Sequence, residues 1–158
     1  FSKNLATGLR VGIILSPAKW ISSIEKSIRA TTWNTAGLLS ALICQWIEDG
    51  NIYKLEREKR LDATKRQKIA KKVFQGLSYQ SHPASYFLWL PLPEDVRTDL
   101  LIKSLLDLNI CVSGAEPYST TEHTPHAIRL ALASVDLTNL EATLTLIKEA
   151  IEYQALGM

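Results

Sequence analysis

The sequence lacks the features that mark a membrane protein or a disulfide-stapled one. No apolar run approaches the length that crosses a bilayer, and no signal-peptide pattern opens the chain. Its two cysteines, Cys44 and Cys111, stand far apart, without a second cysteine at redox or metal-binding spacing. The net charge of +2 is too small to indicate nucleic-acid binding by the whole chain. These absences favour a cytoplasmic protein with two buried, free thiols.

The residues that are present have the balance of an ordinary globular protein, with 46% hydrophobic and 22% charged residues. A chain of 158 residues can bury one ordinary core, or one complete domain and part of another. Hydrophobic periodicity predicts helices over 17–28, 36–47, 51–77, 93–108 and 137–156, and strands over 11–16, 86–90, 110–112 and 127–133. Strands that alternate with helices predict an α/β fold, in which helices pack on a small sheet.

Three of the predicted helices have apolar faces that must be buried against other parts of the protein. In the helix over 93–108 the predicted buried stripe is Leu100, Leu101, Leu105 and Leu108. In the last helix the stripe is Leu140, Leu144, Ile147 and Ile151. The helix over 36–47 is apolar nearly all round, so another part of the protein or a partner subunit must cover it. We therefore expect the bare faces of residues 17–50 to drive self-association.

Residues 1–12 place a lysine and an arginine on one glycine-containing segment. Lys3 lies among small and apolar residues, and a lysine that loses its proton can form a Schiff base with an aldehyde. Arg10 stands between Gly8 and Gly12, where its planar fork suits a phosphate dianion that the glycines let approach. An aldehyde and a phosphate on one molecule describe pyridoxal phosphate (PLP). On chemistry alone this is a weak signal, because most such pairs are solvated surface.

The segment Ser2-Lys3-x-Leu5-Ala6-x-Gly8-Leu9-Arg10-Val11-Gly12 resembles the Ser-Lys-x-Leu-x-Pro-Gly-Leu-Arg-x-Gly signature of fold-type I PLP enzymes. The resemblance is closest to the aminotransferase-like half of MocR-type regulators in the GntR family, and extends to class I/II aminotransferases. It implies that Lys3 forms the Schiff base with PLP and that Arg10 holds the cofactor phosphate. Thr7 replaces the usual proline, which loosens the turn but leaves both functional side chains in place.

Arg129 is a lone charge inside an apolar strand, between Ile128 and Leu130. An unpartnered arginine there would cost several kcal/mol, so it either reaches solvent at a sheet edge or meets a buried anion. Residues 128–133 also resemble the family's Leu-Arg-Leu-x-Phe-Ala strand, whose arginine clamps the α-carboxylate of the amino-acid ligand. The resemblance therefore implies that Arg129 binds a carboxylate, as its bidentate fork allows.

The resemblance covers essentially the whole chain, with its landmarks in the expected order. Two loops depart from it: Pro83-Ala84-Ser85 stands in place of a Pro-Gly-Gly turn, and Ser113-Gly114-Ala115 replaces a Pro-Gly pair. It implies the carboxy-terminal part of a fold-type I PLP-dependent transferase. Residues 1–50 would be a remnant of the large PLP-binding domain, and residues 51–158 the small α/β sandwich domain. The start without methionine fits a piece whose upstream part is missing.

The sequence also contains weak patterns for a nucleic-acid face and for a metal site. Between Lys54 and Lys72 basic residues outnumber acidic ones, which allows a nucleic-acid face but favours a solvated helix, because no aromatic residues interleave for base stacking. His123 and His126 with Glu122 form a His-x-x-His pattern that is common by chance and lacks supporting ligands. We predict no metal site.

The leading hypothesis is a segment of a PLP-dependent transcription regulator, which senses an amino compound or the cofactor. In such regulators an upstream winged-helix domain binds DNA, and the PLP-binding half forms a domain-swapped homodimer. The alternative is a piece of a free-standing class I/II aminotransferase, in which Lys3 also moves the substrate proton. A nucleic-acid module over residues 54–72 is a third hypothesis. We expect residues 1–158 alone to be catalytically inactive, because the rest of the cofactor site lies upstream.

Overall fold

The computed structural model describes residues 1–3 and 5–157. The chain divides into two compact units, Phe1–Arg60 and Leu61–Met158, and each is described by itself. The predicted domains, 1–50 and 51–158, stay a prediction, because the compact units report packing within this chain alone. Within the described residues, no helix is both long enough and apolar enough to span a bilayer.

The first unit consists of helices joined by extended segments. Helix α1 spans Ala18–Thr31, α2 spans Gly37–Glu48, and α3, which spans Asn51–Val73, begins here. Helix α2 closes where the sequence predicted, because Gly50 takes a φ of 75°, a left-handed conformation that glycine adopts at little cost. A small core, formed by Leu5, Leu9, Ile43 and Ile52, holds the opening segment against α2 and α3.

The strand predicted over 11–16 is wrong within this chain. Ile13, Ile14 and Leu15 are 63%, 65% and 93% exposed, and the described part of the first unit contains no strand for them to pair with. A strand requires a neighbour that satisfies its backbone N–H and C=O groups. Helix α1 is similarly bare, because none of its residues is buried. Its apolar stripe is present in the sequence but lies outside the core of this unit.

The second unit is built on a four-stranded antiparallel sheet. The strands are β1 (Gln80–Ser81), β2 (Phe87–Pro91), β3 (Ser113–Gly114) and β4 (Ala127–Ala131). Their spatial order is β1-β2-β4-β3, so β2 and β4 occupy the middle of the sheet. The register places Leu88 opposite Leu130 and Trp89 opposite Arg129. Because successive side chains point to opposite faces, the leucines share one face and Trp89 shares the other with Arg129.

The leucine face of the sheet carries the core. Helix α4 (Thr98–Asp107), helix α5 (Leu137–Ala155) and the end of α3 pack there around Phe74, Leu101, Leu105 and Ile128, each 0% exposed. The stripe predicted for α5 is confirmed, because its four members are between 1% and 3% exposed. The fold is therefore the α/β arrangement that the sequence predicted, with helices on one face of a small sheet.

The stripe predicted for α4 is half wrong. Leu101 and Leu105 are buried, but Leu100 and Leu108 are 47% and 52% exposed. The helix begins at Thr98, not at Pro93, because the residues before it form a turn in which the Val96 N–H donates to the Pro93 carbonyl oxygen at 3.1 Å. Val96 is buried in this turn, and the buried face of the helix is narrower than predicted, centred on Leu101 and Leu105.

Several shorter predictions also change. Strand β3 lies at 113–114, not at 110–112, and β1 was not predicted. Helix α3 ends at Val73, before the predicted end at Leu77. Cys44 and Cys111 are free, as predicted, but both are exposed, so the expectation of buried thiols is wrong.

Candidate functional site

Lys3 and Arg10 lie on one closed segment at the surface of the first unit. The Phe1 backbone nitrogen donates to the Val11 carbonyl oxygen at 2.8 Å, which brings residues 1 and 11 together. Two leucines of the segment are buried in the small core defined above, whereas Lys3 and Arg10 are exposed. The segment is therefore anchored by its apolar residues and presents an amine and a guanidinium outward.

The backbone around Arg10 has an unusual conformation. Arg10 has a φ of 47° and a ψ of 31° at the end of the 3-10 turn Thr7–Leu9, a left-handed conformation that is uncommon for a residue with a Cβ. Such conformations cost about 1–3 kcal/mol and cluster at ligand-binding positions. A Cβ placed on Gly8 or Gly12 would meet nothing within 4 Å, so the neighbouring backbone is open to an approaching group.

Arg129 belongs to an interior strand, because β4 lies between β2 and β3. Of the two positions that the sequence left open for it, the outward position on an edge strand is excluded. Its face of the sheet is the one opposite the helices, where it pairs with Trp89 on β2 and with Ser113 on β3. The side chain is half-buried.

Aromatic rings surround the Arg129 guanidinium. Its central carbon lies 3.9 Å from the ring centre of Phe87 and 4.6 Å from that of Tyr118. Its Nη1 donates a hydrogen bond of 2.6 Å to the Tyr118 hydroxyl. The Trp89 ring meets the Tyr118 ring edge-on, with 6.4 Å between ring centres. We name Phe87, Trp89, Tyr118 and Arg129 the Arg129 cluster; it combines one cation with three aromatic rings.

The sequence identified Arg129 but not its aromatic neighbours. Phe87 and Trp89 were predicted as members of a buried strand, and they carry the only local signal, an aromatic residue at every second position. The resemblance placed Tyr118 at the end of a loop motif of the family but gave it no role at Arg129, because its approach to Arg129 depends on the path of that loop over the sheet.

A second network holds the strands that carry the Arg129 cluster. The Arg66 side chain, 11% exposed, bonds to Asp62 through Nε at 2.8 Å. Its Nη1 donates to the carbonyl oxygens of Leu132 at 2.8 Å and Val135 at 2.6 Å. The Tyr86 hydroxyl donates to Asp62 at 2.9 Å. The network therefore ties α3 to the start of β2 and to the segment after β4.

The same network predicts a pH dependence of stability at alkaline pH. Burial first, and then the bond to Asp62, raise the pKa of Tyr86 from 10.0 to about 12. Between these values the folded chain keeps a proton that the unfolded chain releases, so the free energy of unfolding falls as the pH rises through this window. Because Tyr86 is partly exposed, solvent screening keeps the slope well below about 1.4 kcal/mol per pH unit.

Urea unfolding at a series of pH values measures this effect. We expect Tyr86→Phe to be less stable than the wild type at neutral pH and to lose less stability between pH 10 and pH 12. Tyr153→Phe is the matched control, because Tyr153 is 58% exposed, and it should keep the wild-type slope. A Tyr86→Phe chain that loses stability as steeply as the wild type would contradict the assignment.

Among the described residues, no three His, Cys, Asp or Glu side chains gather where they could hold a metal ion. In the loop that carries His123, Ser119 and Thr121 bond to backbone atoms of the same loop, with the Thr121 hydroxyl donating to the His123 carbonyl oxygen at 2.8 Å. The candidate functional residues are therefore Lys3, Arg10 and the Arg129 cluster.

Comparison with known proteins gives this chemistry a context. Residues 1–147 match the model of the family described as aminotransferase class I and II. The chain belongs to this family. The α/β fold that the resemblance implied is thereby confirmed, and the narrower resemblance to MocR-type regulators finds no support among the relatives described below.

Two relatives are aminotransferases by name. The 2-aminoadipate transaminase of Thermus thermophilus is 23% identical over 140 residues, which are 86% of this chain and 35% of the relative. The mitochondrial kynurenine/alpha-aminoadipate aminotransferase of Bos taurus is 33% identical over 109 residues, which are 61% of this chain and 25% of the relative. The matched residues thus span about a third of the Thermus thermophilus transaminase and a quarter of the Bos taurus aminotransferase.

Solved aminotransferase structures share the fold. The alpha-aminoadipate aminotransferase of Thermus thermophilus superposes with a TM-score of 0.82 at 18% identity, over 100% of this chain and 42% of that chain. The multiple substrate aminotransferase of Thermococcus profundus gives a TM-score of 0.85 at 17% identity, over 100% and 40%. The Thermus structure holds N-(5'-phosphopyridoxyl)-L-leucine, a compound of PLP with an amino acid.

Proposed function

We propose that this chain is the part of a PLP-dependent aminotransferase that holds the cofactor through Lys3 and Arg10 and the substrate carboxylate through Arg129. The observation that carries the proposal is Arg129, a half-buried cation on an interior strand of a family member, stacked on an aromatic ring. A cation in this position needs an anionic or aromatic partner, and an amino acid brings a carboxylate.

The residues present on the opening segment fit PLP. Lys3 offers a primary amine, which is the group that an aldehyde requires. Arg10 offers a guanidinium with open glycine backbone on either side, which suits the phosphate. When bound, PLP supplies an electron sink that stabilises negative charge at the α-carbon of an amino acid.

Each side chain then has a defined task. Lys3 would hold PLP through its amine, and the same amine would move the proton at the substrate α-carbon. Arg10 would bind the cofactor phosphate through its guanidinium. Arg129 binds the substrate carboxylate through two parallel N–H groups, which fixes the direction of the α-carbon.

The substitution Arg129→Gln tests the proposal. The full-length protein is the sample, because the relatives are much longer than this chain. L-2-aminoadipate is the probe, since both named relatives act on it by name. We expect the dissociation constant and the KM for L-2-aminoadipate to rise roughly ten- to hundredfold, the cost of a lost charged hydrogen-bond pair, while PLP absorbance is unchanged.

Arg97→Gln is the control, because Arg97 is an exposed arginine of the same unit, paired only with Asp99 in an exposed ion pair. It should leave the KM as in the wild type. An Arg129→Gln protein with wild-type affinity and KM for the amino acid would exclude Arg129 as the carboxylate ligand.

The MocR-type regulator remains the second hypothesis, and it rests on the sequence resemblance alone. The relatives described above are all named as aminotransferases, which is why the enzyme is the proposal. A homodimer and an amino-compound ligand belong to both hypotheses. The full gene sequence separates them: a winged-helix domain upstream of Phe1 indicates a regulator that binds DNA, and its absence favours the enzyme.

A further inference from the structure

The Tyr118 hydroxyl already takes part of the hydrogen-bonding edge of Arg129. Nη1 of Arg129 donates to it at 2.6 Å, and the Tyr118 ring centre lies 4.6 Å from the guanidinium carbon. We propose that Tyr118 is a displaceable occupant of the place that a ligand carboxylate takes on Arg129, and that binding moves Tyr118 and the loop over 116–125. The inference rests on the proposed role of Arg129.

The stacking of Arg129 limits how a carboxylate can approach. The Phe87 ring centre lies 3.9 Å from the guanidinium carbon, so the ring occupies one side of this group. A bidentate carboxylate must in any case lie in the guanidinium plane, because the N–H groups point outward within it. The tip of the side chain is formed by the two terminal nitrogens, and Tyr118 is bonded to one of them. Nη1 carries two N–H groups, and a carboxylate that takes the one now donated to Tyr118 replaces the phenol.

The exchange favours the carboxylate. A phenol hydroxyl is a neutral acceptor that takes one N–H, whereas a carboxylate is charged and takes two in parallel. The Arg129–Tyr118 bond is charge-assisted by the guanidinium alone, whereas a bidentate carboxylate pair joins two opposite charges through two bonds. Tyr118 thus satisfies Arg129 in the absence of a ligand, since a half-buried cation without an acceptor is costly. A ligand carboxylate then replaces the Tyr118 hydroxyl as the acceptor on Arg129.

The position of Tyr118 allows it to move. It is 44% exposed and ends the 3-10 turn Glu116–Tyr118, whose N–H bond runs to Ala115 at 2.9 Å. Ala115 is 3% exposed and anchors the turn beside β3. Beyond the turn, Ser119 and Thr121 bond within the loop. Tyr118 can therefore swing about the Ala115 anchor while the pairing of β3 with β4 stays intact.

Tyr118→Phe in the full-length protein tests the inference. The variant keeps the ring and removes the oxygen that accepts from Arg129. We expect it to bind L-2-aminoadipate about three- to tenfold more tightly than the wild type, because the ligand no longer breaks a hydrogen bond on entry. Isothermal titration calorimetry measures the dissociation constant. Tyr153→Phe, at an exposed tyrosine of α5, should leave it unchanged.

A spectroscopic readout follows the movement itself. The Trp89 ring meets the Tyr118 ring edge-on at 6.4 Å, so displacement of Tyr118 changes the surroundings of Trp89. In protein labelled with fluorotryptophan, the ¹⁹F signal of Trp89 is assigned from its loss in Trp89→Phe. We expect saturating L-2-aminoadipate to shift this signal in the wild type and in Tyr153→Phe. A signal that stays in place at saturation would overturn the inference.

The outcomes separate this inference from the proposed function. If Arg129→Gln leaves the affinity for L-2-aminoadipate unchanged, the proposed function is wrong. If Arg129→Gln weakens binding and Tyr118→Phe tightens it, both stand. If Arg129→Gln weakens binding while Tyr118→Phe weakens it or leaves it unchanged, only the inference fails. Tyr118 would then be a co-ligand of the carboxylate or a bystander. Tyr118→Leu, which also removes the ring, should tighten binding in the same direction.

Discussion

Replacing Lys3 by alanine should abolish transamination in the full-length protein. Alanine has no amine to hold the aldehyde carbon or to move the α-proton, so both proposed tasks are lost at once. We expect the turnover of L-2-aminoadipate to fall by on the order of 10³-fold or more, which corresponds to about 4 kcal/mol of transition-state stabilisation. Steady-state kinetics, together with the visible absorbance of bound PLP, measure the effect.

The control is Lys26→Ala, because Lys26 is an exposed lysine of α1 in the same unit. It should keep wild-type turnover. A Lys3→Ala protein that retains turnover would show that another amine holds the cofactor. Residues 1–158 alone should bind no PLP; a visible band in this chain that Lys3→Ala removes would contradict the expectation that it is inactive by itself.

Leu105→Ala should cost the second unit about 2–5 kcal/mol of unfolding free energy. Leu105 is 0% exposed and packs in the core between the sheet and α5. Truncation removes the transfer free energy of the lost carbons and leaves a cavity that neighbours fill only in part. Urea unfolding, with midpoint and slope both fitted, measures the loss.

Leu108→Ala is the matched control, because it makes the same change three positions further along the chain. Leu108 was predicted to be buried in the same stripe but is 52% exposed. We expect a change within about 0.5 kcal/mol, as for a surface substitution. Equal losses of unfolding free energy in Leu105→Ala and Leu108→Ala would indicate that both leucines are buried, which would contradict the observed exposure of Leu108.

The contrast between α4 and α5 shows what the sequence could predict about the fold. In α5 the periodic leucines and isoleucines extend over 19 residues, so a shift of one residue at either end leaves the stripe unchanged. Helix α4 has only 10 residues, with three consecutive apolar residues at 100–102 and two at 105–106, so periodicity alone allows more than one buried face. The observed face centres on Leu101 and Leu105, and it is set by packing, which periodicity does not encode.

In the candidate site, too, features of the local sequence could be predicted, and features that depend on distant packing could not. Lys3, Arg10 and Arg129 could be predicted because each is a charge in an unusual local setting, and a family resemblance adds a role to each. Their roles stay predictions until the substitutions are made. Arg66 could not be predicted, because its carbonyl partners Leu132 and Val135 lie 66 and 69 positions along the chain. From sequence it belonged to a solvated basic helix; in the fold it is 11% exposed.

The strand register has a consequence for tolerated changes. Trp89 faces Arg129, and Leu88 faces Leu130, only because β2 and β4 pair with this offset. Deleting one residue within β4 would exchange the two faces, sending a guanidinium into the hydrocarbon interior and a leucine to the aromatic rings. Insertions and deletions should therefore be absent from β4 in functional variants, whereas the loop that carries Tyr118 can change length without inverting the sheet.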